Sequence, residues 1–261
     1  MRRERVPVPV AVLAAAGAAF FVLPLAGLIV RTPWGDAGRE LITPASLDAL
    51  RLSLVASLSA TVVAMVLGVP LAWIYARVEF PGRGLLRALT TLPMVLPPVV
   101  GGIALLLAFG RRGLIGAWLV SIGISLPFTT AAVVMAETFV AMPFLVLTVE
   151  AGLRSMDRRY EDAARTLGAG RWTVFWRVTV PLIAPSLAAG AVLCWARALG
   201  EFGATITFAG NFPGVTQTMP LAAYVLLLGS DPETSYVLSL VMLAVSIAVL
   251  VGLRHRWLGT A

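Results

Sequence analysis

The chain has 261 residues, 59% of them hydrophobic and 13% charged, with a mean hydropathy of +0.92. That is far more apolar side chain than one soluble core needs, which places it among integral membrane proteins. Its formal charge of +7 comes from twenty arginines and no lysine, scattered in short clusters, so a nucleic-acid stripe, a lysine-bearing P-loop and a Schiff-base lysine are all excluded.

If ATP drives this protein, another subunit must hydrolyse it. A single cysteine, Cys194, and a single histidine, His255, allow neither a disulfide framework nor a histidine or thiolate metal cluster within one chain. Cys194 lies in an apolar run and reads as a packing residue. No cofactor or metal is expected in this chain.

Arg2, Arg3 and Arg5 precede an apolar run from about Val8 to Val30, long enough to cross a hydrocarbon core of about 30 Å. A signal peptide cut near Ala14-Ala15-Ala16 would leave a long apolar remainder and an odd number of later spans, which favours a membrane helix. Residues 31–51 are mixed and turn-rich and read as an external loop. The second span is expected over Leu52 to Ala76, with hydrogen-bonding Ser53, Ser57, Ser59 and Thr61 and a kink at Pro70. Arg77, Arg83 and Arg87 follow in a short loop.

The third run, about Ala88 to Gly110, holds Pro93, Pro97, Pro98, Gly101 and Gly102, so its backbone is expected to be bent or locally unwound. Irregular backbone at membrane depth is tolerated where it is buried in protein or lines a cavity, so this run is either a pathway element or a kinked packing helix. A piece around Trp118 is too short to span. The fourth span, about Phe128 to Val149, contains Glu137, whose partner the sequence does not give. A polar island occupies 150–181, and the fifth span runs from about Leu182 to Phe208 with Arg197 and Glu201 inside it. Met219 to Leu228 is again too short to cross, and Val237 to Leu253 is the sixth span, followed by Arg254, His255 and Arg256.

Fourteen arginines fall at the termini, in the 77–87 loop and in the island, against five in the opposite loops. This bias puts both termini and the island in the cytoplasm of a multi-pass cell-membrane protein. The expected fold is all-α, a single transmembrane domain over residues 1–261 with six spans.

Within the island, Asp157 is placed to cap a helix carrying the four-apart pairs Arg158 with Asp162 and Glu161 with Arg165. Gly168 and Gly170 break it. A second short helix, Trp172 to Val178, presents Trp172, Phe175 and Trp176 on one face beside Arg171 and Arg177, with Pro181 ending it and Pro185 opening the next span. On spacing alone this is either a knob that docks to a partner and transmits a push, or an amphipathic pair lying among the headgroups of membrane lipids.

Asp162-Ala163-Ala164, three residues, Gly168, nine residues, then Val178-Thr179-Val180-Pro181 resembles the EAA loop of permease subunits of binding-protein-dependent ABC importers. Asp162 replaces the usual glutamate, with Glu161 just before it, and Val178 and Val180 replace larger aliphatics. The resemblance implies a coupling helix docking on an ATP-binding subunit through Glu161, Asp162, Ala163, Ala164, Arg165, Gly168 and Pro181. It also implies a homodimer with its pathway at the dimer axis, ATP and Mg bound in two cytoplasmic ATP-binding subunits, and an external solute-binding protein.

Leu92 to Gly101, Arg197-Ala198-Leu199-Gly200-Glu201-Phe202-Gly203, and the segments Gly210 to Gly214 and Thr216 to Pro220 are similar to the molybdate permeases of that family. Sulfate and thiosulfate permeases share the Arg-Ala-Leu-Gly-Glu-Phe-Gly core but differ after it. Molybdate or tungstate import with a molybdate-binding receptor is therefore the implied function, and sulfate import the alternative. Arg197 and Glu201, four residues apart, either neutralise each other structurally or act in a gate. Thr205, Thr207, Asn211, Thr216, Gln217 and Thr218 either ease an oxyanion past a gate or form an ordinary polar loop facing the receptor. A self-sufficient anion channel or carrier remains a reading of another class. An intramembrane enzyme would need a catalytic pair that this histidine-poor chain does not supply in sequence.

Overall fold

The computed structural model describes residues 7–229 and 231–257. Arg2, Arg3 and Arg5, and the side chains of Arg254, His255 and Arg256, lie outside the described part. Among the described residues thirteen α-helices run in chain order: α1 Val8–Arg31, α2 Ala37–Leu41, α3 Pro44–Arg77, α4 Arg83–Thr91, α5 Pro98–Phe109, α6 Gly116–Ser121, α7 Thr130–Ser155, α8 Arg159–Thr166, α9 Arg171–Val174, α10 Val180–Leu199, α11 Gly203–Phe208, α12 Met219–Leu228 and α13 Pro232–Trp257. Among the described residues there is no strand.

Five of these stretches are long and apolar enough to cross a membrane, and a sixth arises if the bent pair Arg83–Met94 plus Pro98–Phe109 is one span. The second half of that pair turns by 118° from the direction of the first. Pro97 and Pro98 cause the break, since neither can donate a backbone N–H into a continuing ladder. Despite the bend, the pair runs the length of α7: Arg87 at its start meets Glu150 near one end of α7. Phe109 at its finish packs on the cluster holding Ala132 and Val133 near the other.

Several boundaries differ from the sequence reading. The second span starts at Pro44, well before Leu52, because Thr43 accepts the Ser46 N–H as an N-cap and Pro44 sits in the first turn. It runs without interruption through Pro70. The fourth span continues past Val149 to Ser155, so the polar island is shorter than 150–181. At its far side the chain does not break at Pro181. Arg171–Leu199 forms one rod of 29 residues, in which a π turn, Phe175–Thr179, closes with Val180 N–H donating to the Phe175 carbonyl. The wider π turn absorbs the register change that a proline at the start of α10 imposes. The fifth span ends earlier than Phe208: it stops at Leu199, and residues 200–202 separate it from α11.

The core is built by α3, α7 and α10, whose facing stripes are rich in alanine. Ala56, Ala60, Ala64, Ala136 and Ala141 are fully buried, and Gly68 lets Leu145 and Val146 approach within 3.1 Å of where its Cβ would stand. Small residues permit this close approach in a medium that supplies little hydrophobic drive between helices. By contrast α1 buries no residue and packs against α13.

Candidate functional site

Two polar constructions stand out, one at each kind of break in the apolar helices. The first is the island itself. Asp157 accepts the Arg159 N–H at 2.9 Å in a turn just ahead of α8, but the N-cap position falls to Arg158, whose side chain makes no cap bond, so the predicted Asp157 cap is not formed. The helix closes on Gly168, whose φ of +84° is the left-handed C-terminal position that a glycine takes without strain, and Ala169 N–H returns to the Ala164 carbonyl. Asp162 is exposed and pairs with Arg165 at 3.1 Å, three residues on, not with Arg158.

Glu161 departs from the sequence reading. Instead of pairing with Arg165 on the surface, it turns inward. Its Oε1 lies 3.3 Å from Arg77 Nη2 and accepts the Thr179 hydroxyl at 2.7 Å. Successive residues on a helix differ by about 100° in direction, so of two adjacent acids one can be buried while the other is exposed. Ala163 is exposed and Ala164 half-buried, while Leu167, 88% exposed, and Trp172, 76% exposed, stand out beside Trp176. Phe175 holds the aromatic face together by edge contacts with Trp172 and Trp176 at 6.4 and 5.1 Å.

The same end of the bundle carries a second ionic knot. Glu150, 1% exposed, is held by Arg154 at 2.7 Å and Arg87 at 3.1 Å. Arg154 and Arg83 both donate to the carbonyl of Tyr75, at 3.0 and 2.5 Å, satisfying an acceptor at the end of α3. Tyr75 is itself buried, with its hydroxyl 2.7 Å from Thr90 Oγ1. Thus α3, α4 and α7 are fastened together where the island begins.

The second construction joins the two broken helices. Glu201 sits in the break between α10 and α11, 1% exposed. Arg197 Nη2 is 2.6 Å from its Oε2, and its Oε1 accepts the Ala204 N–H at 2.9 Å. The pair predicted from the four-residue spacing therefore forms, and the carboxylate also starts α11. Gly203 lies against Pro98 and Val99, and Gly102 against Thr207 and the Ala204 backbone, so α5 and α11 touch backbone to backbone. Glu137 on α7 is buried here too, within electrostatic range of Glu201 and with one oxygen unpaired.

The neutral polar residues divide. Thr207 donates to the Gly203 and Ala204 carbonyls, and Thr216 accepts the Phe212 N–H at 2.8 Å, so both are committed to their own backbone. Thr205 and Thr218 are buried with hydroxyls that have no partner, as does the side-chain oxygen of Asn211. Gln217 lines a separate cavity of about 230 Å³ with Glu40, Asp231 and Thr234. The structure thus brings Arg197, Glu201, Thr205 and Thr207 together on or beside α11 and leaves Gln217 apart.

The sequence model of a family described as binding-protein-dependent transport system inner membrane component matches residues 64–259, which takes in both constructions. The chain belongs to that family. The molybdenum transport system permease protein ModB of Mycobacterium tuberculosis is 48% identical over 243 residues, 93% of this chain and 92% of that protein. The sulfate transport system permease protein CysT of Escherichia coli is 36% identical over 232 residues, covering 88% and 84%. Among solved structures, a bacterial ABC transporter involved in the import of the acidic polysaccharide alginate superposes with a TM-score of 0.71 at 18% identity, over 95% of this chain and 94% of that one.

The sequence reading of this permease missed Arg77 and Glu150. Glu150 carried a signal, an arginine four residues on at Arg154. Arg77 carried none, because its partner lies 84 residues away. Of the hydrogen-bonding residues expected in the second span, two bond across helices: Ser53 accepts the Met219 N–H at 2.7 Å and Ser57 the Trp195 Nε1–H at 3.0 Å.

Proposed function

We propose that this chain is the membrane-spanning subunit of an ATP-driven importer of molybdate, and of the similar oxyanion tungstate. It works as a homodimer with the pathway at the dimer axis. The island, α8 to the π turn, faces the cytoplasm together with both termini and docks on an ATP-binding subunit, one per permease copy. That subunit holds ATP and Mg, and a molybdate-binding receptor delivers the anion on the opposite side. The observation that carries the cargo is the 48% identity over nearly the whole length to a permease named for molybdenum transport.

The geometry suits such a device. The exposed aromatic and leucine side chains of the island offer apolar area to a groove, while Asp162 and Arg165 form its charged rim. Closure of the two ATPases upon ATP binding would draw the two islands together and bias the bundle toward its outward-open state, and hydrolysis would release it. At the break between α10 and α11, Arg197 and the Ala204 N–H neutralise Glu201, so a passing anion does not meet a bare carboxylate. The unpartnered hydroxyls of Thr205 and Thr218 offer neutral donors, weak enough to release the anion again.

Sulfate import is a second reading, favoured by the similarity to CysT. Uptake of molybdate and of sulfate into liposomes holding this chain with its ATPase and receptor separates the two: molybdate is expected to enter in an ATP-dependent way and sulfate poorly. The reverse order would overturn the cargo. Flux through liposomes containing this chain alone would overturn ATP-driven import in favour of a channel or carrier.

A further inference from the structure

Glu161 stands where three segments meet. One of its oxygens, Oε1, takes both Arg77, the last residue of α3, and the hydroxyl of Thr179, the last residue of the π turn that leads into α10. The ion pair is buried, each side chain 8% exposed, so solvent screens it little. A buried charge of this kind holds its place because removing either partner strands the other.

The covalent connections of α8 are poor transmitters. On one side lie residues 156–158, and on the other the Gly168 bend with its left-handed backbone and Gly170 in extended conformation. A displacement of α8 would be taken up at those joints unless a side chain bridged past them. Glu161 does so twice. Through Thr179 it reaches α10 beyond the bend, at the π turn, an interruption of the regular helical ladder of a kind frequent at functional sites. Through Arg77 it reaches α3, to which the chain gives α8 no direct connection. The end of α3 is bound in turn to α7 by Arg154 on the Tyr75 carbonyl.

We propose that Glu161 is a positioning residue that links the docking island to α3 as well as α10, with Arg77 and Thr179 as its two anchors. Movement of α8 then reaches the bundle as a displacement of several helices together, while outward-facing Asp162 deals with the partner. This rests on the importer reading above.

The test uses the complete complex of permease, ATPase and receptor in liposomes, and reads molybdate uptake per ATP hydrolysed for Arg77→Gln, Glu161→Gln, the double variant and Thr179→Val. For Arg77→Gln, uptake per ATP is expected to fall roughly tenfold, the scale of a coupling free energy between sites, while receptor-stimulated ATPase stays near wild type. The double variant is expected to be no worse than either single one, because the pair acts as a unit. An unchanged ratio would overturn the proposal, as would uptake and ATPase declining in parallel with the amount of folded complex, which is what a purely structural pair produces. Should Arg77→Gln fail to reach the membrane, Thr179→Val decides by the same ratio. Wild-type complex without ATP-dependent uptake would refute the importer reading and this proposal with it.

Discussion

Gly101 and Gly102 are adjacent in α5, yet an alanine at each should have opposite outcomes. At Gly102 a Cβ would coincide with the Thr207 hydroxyl and stand 2.8 Å from the Ala204 carbonyl oxygen and 2.9 Å from Ala204 Cα. Ordinary carbon contacts are about 3.5–4.0 Å, so α5 and α11 would have to part by several tenths of an ångström along their whole contact. Thr207 would also have to rotate and give up its bonds to Gly203 and Ala204, at 2.7 and 3.2 Å. Overpacking costs about 1–3 kcal/mol, and a lost hydrogen bond about 1 kcal/mol, so Gly102→Ala should destabilise by roughly 2–4 kcal/mol. At Gly101 the added Cβ meets only the Phe139 ring, at 3.2 Å. A helical Gly→Ala gain of about 1 kcal/mol offsets that small repacking, and the net change should lie within about 1 kcal/mol of zero. Unfolding of the two purified variants in the same mild detergent, followed by tryptophan fluorescence, measures the difference. Equal midpoints, or Gly101→Ala as the weaker protein, would refute the backbone-to-backbone packing of α5 on α11.

Other changes have equally definite outcomes. Arg197→Gln leaves the Glu201 carboxylate buried and unmatched, at about 3–5 kcal/mol, and adding Glu201→Gln should recover much of it in the same unfolding assay. Ser53→Ala orphans the buried Met219 N–H, at about 1–3 kcal/mol, and should raise hydrogen exchange at the start of α12 without affecting α8. Gly168→Pro, which cannot adopt φ +84°, and Asp162→Arg should each uncouple ATP hydrolysis from uptake while the protein still reaches the membrane; normal substrate-stimulated ATPase with normal uptake would count against that role. Asp231 accepts the Thr234 hydroxyl and backbone N–H, which hold its pKa below the usual aspartate value. Its stabilising contribution is therefore complete above the ordinary aspartate range and is lost as pH falls through the lowered value. Thr234→Val should move that titration upward, as acid unfolding monitored by circular dichroism would report.

The apolar runs made the six hydrophobic stretches legible, because a bilayer demands about twenty such residues in a row. Proline and glycine at 93–102 announced broken backbone, and the spacing of Arg197 and Glu201 announced their pair. Helix ends were read less well. Thr43 and Pro44 form a start signal hidden in a loop-like composition, and Pro181 looked like a terminator because a sequence does not show that a π turn can carry a helix across it.

The division follows from the range of the forces involved. Hydropathy, helix periodicity and local spacing act over a few residues, so the sequence by itself determined an all-helical membrane chain, the place of its polar island, and the glycine bend within it. Partners separated by many residues obey no such rule. Only the tertiary structure decided that Glu161 faces inward to Arg77 and Thr179 while Asp162 faces out, and that Glu150 gathers two arginines at the end of α3. It alone also brought Gly102 and Gly203 to the crossing of two broken helices. A buried charge or a glycine contact is selected by whatever packing brings against it, and that is a property of the folded chain.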